Sequence, residues 1–123
     1  MAEYTLVADK SGEVRMEPEE KLARYREIAE QLASVMEDEE DLLACMASVV
    51  CLLHNAFPGH IACDAGSLSE IVVPVFDAAG ELTGVLDVDS SAPAAFDETD
   101  CEQLEAIVAL LREKRSLPVV WTS

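Results

Sequence analysis

Basic residues are scarce in this chain: 8 lysines and arginines stand against 25 aspartates and glutamates, for a formal net charge of −17. A surface of that sign repels phosphate backbones and anionic lipid heads, which argues against nucleic acid and against a membrane as partners. Long apolar runs are missing too, and nothing approaches the roughly 20 residues needed to span a bilayer. The first fifteen residues contain no basic segment followed by an apolar one, so they do not read as a secretory signal, and the cytoplasm is the expected location. The four cysteines, Cys45, Cys51, Cys63 and Cys101, form no C-x-x-C pair, and no Cys/His pair stands at ligand spacing. A structural zinc site is therefore not expected. Gly59, Gly66, Gly80 and Gly84 make no phosphate-cradling pattern. No internal repeat and no low-complexity linker interrupts the chain.

What is present suits one small domain of 123 residues, half of them apolar. Residues 1–16 read as a polar arm with a short strand at 4–7. Pro18 suits a first helical position. Leu22, Tyr25, Ile28, Leu32 and Val35 then follow at three- and four-residue steps and predict an amphipathic helix from 18 to 36. After Asp41 the pattern restarts. Leu42, Met46, Val49 and Leu53 form one stripe, and Leu43, Val50 and Phe57 another. That helix is apolar over much of its girth and is expected to be well buried, with Pro58-Gly59 ending it.

Residues 71–76 and 82–89 read as strands joined by a hairpin turn at Asp77-Ala78-Ala79-Gly80. Pro74 puts its strand at an edge or a bulge. Thr99-Asp100-Cys101-Glu102 fits a capping box. Cys101, Leu104, Ile107, Val108 and Leu111 mark a helix face, which Arg112, Lys114 and Arg115 close at the negative end of its dipole. Residues 118–121 suit a short extended tail. The division is a polar arm (1–16), a helical part (17–57), then a hairpin and C-terminal helix (58–123). The fold class is α+β with an antiparallel hairpin.

Two features carry chemistry. Val85, Asp87 and Asp89 alternate with Leu86 and Val88, so the two aspartates share one strand face. Aspartate is depleted from strands because its side chain competes for backbone hydrogen bonds. Two carboxylates about 7 Å apart along the strand should repel each other enough to raise one pKa. One could then hold an ammonium while the other donates a proton. Glu70, opening the partner strand, can join them. Two solvated aspartates on an open sheet face is the plainer reading of the same pattern. The second feature is Cys63, the one cysteine set among loop residues: His60, Asp64, Gly66 and Ser67. Asp64 disfavours its thiolate and a protonated His60 favours it. A lone loop cysteine also reads as an inert thiol. Cys45, Cys51 and Cys101 read as small buried hydrophobes.

Phe57-Pro58-Gly59-His60-Ile61-Ala62-Cys63-Asp64, Ser69-Glu70-Ile71-Val72-Val73-Pro74, Gly84-Val85-Leu86-Asp87-Val88-Asp89-Ser90 and Phe96-Asp97 together resemble the C-terminal half of the GAF-domain free methionine-(R)-sulfoxide reductases. The helix from Asp41 to Leu53 resembles that family's N-terminal helix. The resemblance implies a GAF-like antiparallel sheet flanked by helices. It implies Cys63 as the nucleophile, with Glu70, Asp87 and Asp89 binding the free amino acid and the sulfoxide oxygen. It further implies a thioredoxin-type reductant and no cofactor.

The family's segment between the N-terminal helix and the Phe-Pro-Gly-His run is absent here, since Leu53-His54-Asn55-Ala56-Phe57 runs directly into Pro58. The recycling cysteine and the aromatic wall of the methyl pocket, which that segment supplies, have no counterpart in this chain. The fold is accordingly expected to shorten to a hairpin plus three helices. Two other readings stand beside the reductase. One is a non-catalytic GAF-type module binding a small zwitterion through Glu70, Asp87 and Asp89. The other is a structural fragment whose amphipathic helices form a homodimer.

Overall fold

The computed structural model describes residues 6–8, 14–57 and 68–117. The expected tail at 118–121 lies outside them. Strand β1 (Leu6–Ala8) pairs antiparallel with β2 (Val14–Met16), in the register Leu6 to Met16. The arm thus contains a small hairpin, where the sequence suggested one strand at 4–7. Helix α1 (Pro18–Met36) and helix α2 (Leu42–Ala56) follow. Strands β3 (Ser69–Phe76) and β4 (Leu82–Ser90) form the second hairpin, and α3 (Glu98–Ala109) closes the order.

Pro18 occupies the first turn of α1 as its fixed φ allows. The buried stripe of α1 is Lys21, Tyr25, Ile28, Leu32 and Met36. It is shifted from the expected one at both ends: Leu22 is half-buried and Val35 is exposed. Met36, one residue on, is turned about 100° from Val35 and takes the inward place. The lysine is tolerated inside because it has partners there. Its Nζ donates to Asp100 Oδ2 at 2.7 Å and lies 3.5 Å from Asp97 Oδ2. Asp100 Oδ1 accepts from the Tyr25 hydroxyl at 2.6 Å, and Oδ2 also accepts from the Asp97 amide at 2.9 Å. Burial, followed by the charge and hydrogen bond of Asp100, pushes the Tyr25 phenol well above its ordinary value of 10.0.

Helix α2 buries Leu42, Cys45, Val49 and Leu53, while Leu43 and Val50 on its other stripe are exposed. The expectation that α2 would be covered over much of its girth is corrected: among the described residues α1 and the core cover one side only. Cys51 is exposed and Cys101 half-buried, so Cys45 alone of the three helical cysteines is a buried hydrophobe.

In the second hairpin, Asp77 organises the turn. Its carboxylate accepts from the amides of Ala79 and Glu81, each at 2.9 Å, and Gly80 takes the positive φ of 81° that glycine adopts without strain. The pairing is regular from Ser69–Ser90 to Val75–Gly84, then shifts between Val75 and Phe76. Among the described residues the sheet has two strands, so Pro74 is on an edge strand and beside an irregularity, as its missing N–H requires. Val73, Val75, Leu86 and Val88 are buried with Leu104, Ile107, Val108 and Leu111 from α3 and the turn after it.

The capping box of α3 begins two residues before the expected position. Asp97 is the N-cap and accepts from the Asp100 amide at 3.2 Å, while Asp100 returns the bond to the Asp97 amide. The basic cluster also works elsewhere than expected. Lys114 donates to the carbonyls of Met36 and Glu39, at 2.7 and 2.6 Å, and so closes the end of α1 rather than of α3.

These contacts separate two carboxylates by consequence. Asp97→Ala removes a cap and should cost about 1 kcal/mol, whereas Asp100→Ala takes the 2.7 Å partner from a buried ammonium and the acceptor from the buried Tyr25 hydroxyl and should cost about 3–5 kcal/mol. Thr99→Ala should change little. Urea denaturation of the three variants measures this ranking.

Candidate functional site

The alternation of β4 places its aspartates. Leu86 and Val88 are buried against the core, so Asp87 and Asp89 point to the opposite face of the sheet with Val85. The register sets Glu70 directly across from Asp89, and Val72 across from Asp87. Residues directly opposed in an antiparallel pair project to the same face, so Glu70 joins the two aspartates. One carboxylate oxygen from each of Glu70, Asp87 and Asp89 lies within 4.8 Å of the others. The spacing along the strand is thus closed up by side-chain convergence, and the third acid comes from the neighbouring strand.

Like charges directly opposite one another on a sheet are unfavourable. The electrostatic consequence falls on Glu70. A hydrogen bond with Asp89, then the charges of Asp87 and Asp89, push the Glu70 carboxyl above its ordinary value of 4.5. Sequence parity suggested that carboxylate repulsion on this face would raise a pKa, and Glu70, from the neighbouring strand, is pushed up. At neutral pH such a cluster is anionic enough to hold an ammonium. It also contains an acid that keeps its proton to higher pH than an isolated glutamate.

Around the cluster the face is open. Glu70 and Asp87 are exposed and Asp89 is half-buried. Leu68, Val72, Val85 and Phe76 are exposed beside them, so the acidic end of the face continues into an apolar end. The carboxylates offer hard oxygen donors, but nothing in the described geometry adds neutral ligands to them. Cys63 and His60 lie outside the described residues. Of the thiols that are described, Cys101 is raised by a hydrogen bond with Glu105, and Cys45 by burial. Burial, with the charges of Glu39 and Asp41, outweighs the lowering effect of Lys114 on Cys45, so neither thiol is activated.

Sequence reasoning missed one polar group, the Lys21–Tyr25–Asp97–Asp100 cluster on the core side of the sheet. Its signal was present: Lys21 stands on the apolar stripe of α1, in step with Tyr25, Ile28 and Leu32.

Residues 8–112 match the GAF domain. The chain belongs to the GAF domain family. Over 59 residues it is 51% identical to Protein YtsP of Bacillus subtilis, a stretch covering 48% of this chain and 36% of that protein. It is 44% identical over 59 residues to the free methionine-R-sulfoxide reductase of Saccharomyces cerevisiae, covering 48% of this chain and 33% of the enzyme. Among solved structures, the free methionine-R-sulfoxide reductase of Neisseria meningitidis, determined in complex with its substrate, aligns with a TM-score of 0.66 at 30% identity, over 75% of this chain and 88% of that one. These GAF relatives bear out the α+β assignment and the resemblance read from the motifs. The matched stretch spans about a third of the length of the two curated relatives. No helix among the described residues is long and apolar enough to cross a membrane.

Glu70 gives a pH test. A carboxyl raised on folding binds more protons folded than unfolded between the two values. Its stabilising contribution is therefore present below 4.5 and lost as pH rises through the raised folded value. Carbon-detected NMR should show Glu70 titrating above 4.5, and Asp89→Asn should lower that midpoint. A Glu70 midpoint unmoved by Asp89→Asn would mean the two side chains do not share a proton.

Proposed function

We propose that this GAF chain reduces free methionine-(R)-sulfoxide to methionine. The observation that carries the reading is the convergence of Glu70, Asp87 and Asp89 within 4.8 Å on one sheet face. Those residues also carry the resemblance to the reductases. The similarity to proteins named for this activity supports it further.

A free amino acid presents an ammonium, and a carboxylate cluster holds it by charge-assisted hydrogen bonds. The sulfoxide oxygen needs a proton when its bond to sulfur breaks. The proton-sharing pair of Glu70 and Asp89 can supply one. Cys63 is the nucleophile in this proposal. Its thiolate attacks the sulfoxide sulfur, the oxygen passes to the cysteine with the proton, and methionine leaves. Cys63 ends as a sulfenic acid, and the substrate sulfur is reduced by two electrons. Two equivalents of a thiol then return Cys63 to the thiol, with release of water and a disulfide. The reaction takes no cofactor, and a cytoplasmic thioredoxin-type protein is the proposed source of reducing equivalents.

Direct recycling by that partner requires a disulfide to attack. With the family's recycling cysteine absent, a single fast turnover followed by dependence on a small external thiol is the expected behaviour. Methionine released per Cys63, measured with thioredoxin in the presence and absence of dithiothreitol, reads this directly. Sustained turnover on thioredoxin alone would show that another cysteine reaches Cys63.

Two substitutions test the assignment. Cys63→Ser should abolish the burst while Cys45→Ser, Cys51→Ser and Cys101→Ser keep it, as followed by methionine release. Asp87→Asn should weaken binding of the sulfoxide by about 1.5–3 kcal/mol through loss of a charge-assisted hydrogen bond, as measured by calorimetry on Cys63→Ser. Saturable binding with no burst in the unsubstituted chain would replace the reductase by a non-catalytic GAF binding module.

A further inference from the structure

On the side of β4 away from the carboxylates lies a cavity of about 120 Å³. The space is a partly open pocket rather than a sealed void, since Pro93, Ala94 and Asp97 in its lining are exposed. Its apolar walls include Leu53, Phe57, Val88 and Leu104, all of them buried. An engineered cavity of comparable size, about 150 Å³ and lined by Leu, Ile and Phe, stays dry and takes up benzene.

The cavity stays open for a definable reason. One wall is the loop after β4, where Ala92, Pro93, Ala94 and Ala95 offer only small side chains. That loop is tied down by serines. Ser69 Oγ donates to the Ala92 carbonyl at 2.6 Å and accepts from the Ala95 amide at 3.3 Å, while Ser90 Oγ accepts from the Ala92 amide at 3.2 Å. Ala94 is the one non-glycine residue of positive φ, 51°, among the described residues. A conformation of that kind persists only where the surroundings impose it. The loop is therefore held off the core rather than collapsed onto it.

The remaining wall is polar and has a definite charge. Lys21, Tyr25, Asp97 and Asp100 line it. The Lys21 ammonium is spent on Asp100, Asp97 and the Ala95 carbonyl. Two carboxylates against one ammonium leave this wall net negative. The side chain of Asp97 is about half exposed, at 54%, and keeps lone pairs free to accept. Burial first raises the Asp97 carboxyl, but hydrogen bonds with Asp100 and the charge of Lys21 outweigh it and hold the group below its ordinary value. The wall thus offers an acceptor to a hydroxyl donor and repels an anion.

We propose that this cavity is a second binding site, taking a neutral, benzene-sized aromatic molecule that carries one hydroxyl group. The ring fills the space between α2, β4 and α3, and the hydroxyl donates to Asp97. The proposal is independent of the reductase reading, because it uses no residue of the carboxylate face.

Phenol is the probe. Methyl resonances of the intact chain, followed by carbon–proton correlation NMR, should shift saturably at Leu53, Val88 and Leu104. Val72 and Val85 on the opposite face should stay still. Benzoate, similar in size but anionic, should bind about tenfold more weakly through charge repulsion. Ala92→Leu and Ala95→Leu each fill the space from a different point on the wall and should weaken phenol about tenfold or more. If one of them fails to fold, the other and the titration of the unsubstituted chain still decide. The proposal is overturned by any of four results: no saturable shift, saturation reported by Val72 and Val85 instead, benzoate binding as tightly as phenol, or a folded Ala92→Leu or Ala95→Leu protein of unchanged affinity.

Discussion

Asp100 is the point on which the arrangement rests. One carboxylate oxygen accepts from Tyr25, and the other from Lys21 and from the backbone of Asp97. Those bonds join α1, the first turn of α3 and the loop that leaves β4. The desolvation cost of burying such a group is recovered only when its hydrogen-bonding capacity is filled with good geometry, and here both oxygens are used. The loop carries the chain from β4, with Asp87 and Asp89, into the N-cap of α3, and α3 in turn packs on the inner face of the same hairpin. The carboxylate face is therefore braced from behind by a polar cluster that it does not touch.

How much of this was legible follows from what each residue type can signal. Alternation along β4 announced its own two faces, because the pleat has a period of two and Leu86 and Val88 could only be the buried pair. The hairpin turn at Asp77–Gly80 was legible from turn chemistry alone. The phase of α1 was less so. The sequence pattern counted apolar residues and chose Leu22 and Val35, whereas the structure chose Lys21 and Met36, since an ion pair supplied from 79 residues away made the lysine an inward residue. The same blindness to distant partners gave Lys114 to α3 rather than α1, whereas the capping box was misplaced locally, because the Thr-x-x-Glu pattern was preferred to the Asp97–Asp100 pair that forms it. Local pattern finds the elements; partners contributed by other elements decide which residue of each turn points inward.

The exposed stripe of α2 has a related origin. Leu43 and Val50 are apolar at helical spacing, which usually means core. Among the described residues, α2 has neighbours on one side only and both edges of the two-stranded sheet are unpaired. A hairpin of two strands gains stability only by packing a hydrophobic face, and Val73, Val75, Leu86 and Val88 give it that against α3. The motifs resembling the reductases include the hairpin and reach the loop before α3. The segment absent from this chain belongs, in that resemblance, between α2 and the Phe-Pro-Gly-His run. Among the described residues, Leu43 and Val50 on α2 and Val72 and Val85 on the sheet are apolar side chains left exposed.

The carboxylate face shows how stability and chemistry are divided within one strand pair. Ile71 faces Val88 and Val73 faces Leu86 across the ladder, and these inner pairs fix the register. Glu70 and Asp89 inherit their apposition from it, although two acids opposed on a sheet repel each other. A slip of one residue would turn Leu86 and Val88 outward and the acids inward, and burial of unpaired carboxylates forbids it. The one irregularity in the pairing falls between Val75 and Phe76, beyond the acids and toward the turn. Register is thus strict where the carboxylates converge and relaxed where nothing depends on it. The same apposition that the core enforces is what pushes the Glu70 carboxyl up, through its hydrogen bond with Asp89 and the charges of both aspartates. The raised carboxyl of Glu70 is thus a consequence of strand pairing, with no special pocket needed to produce it.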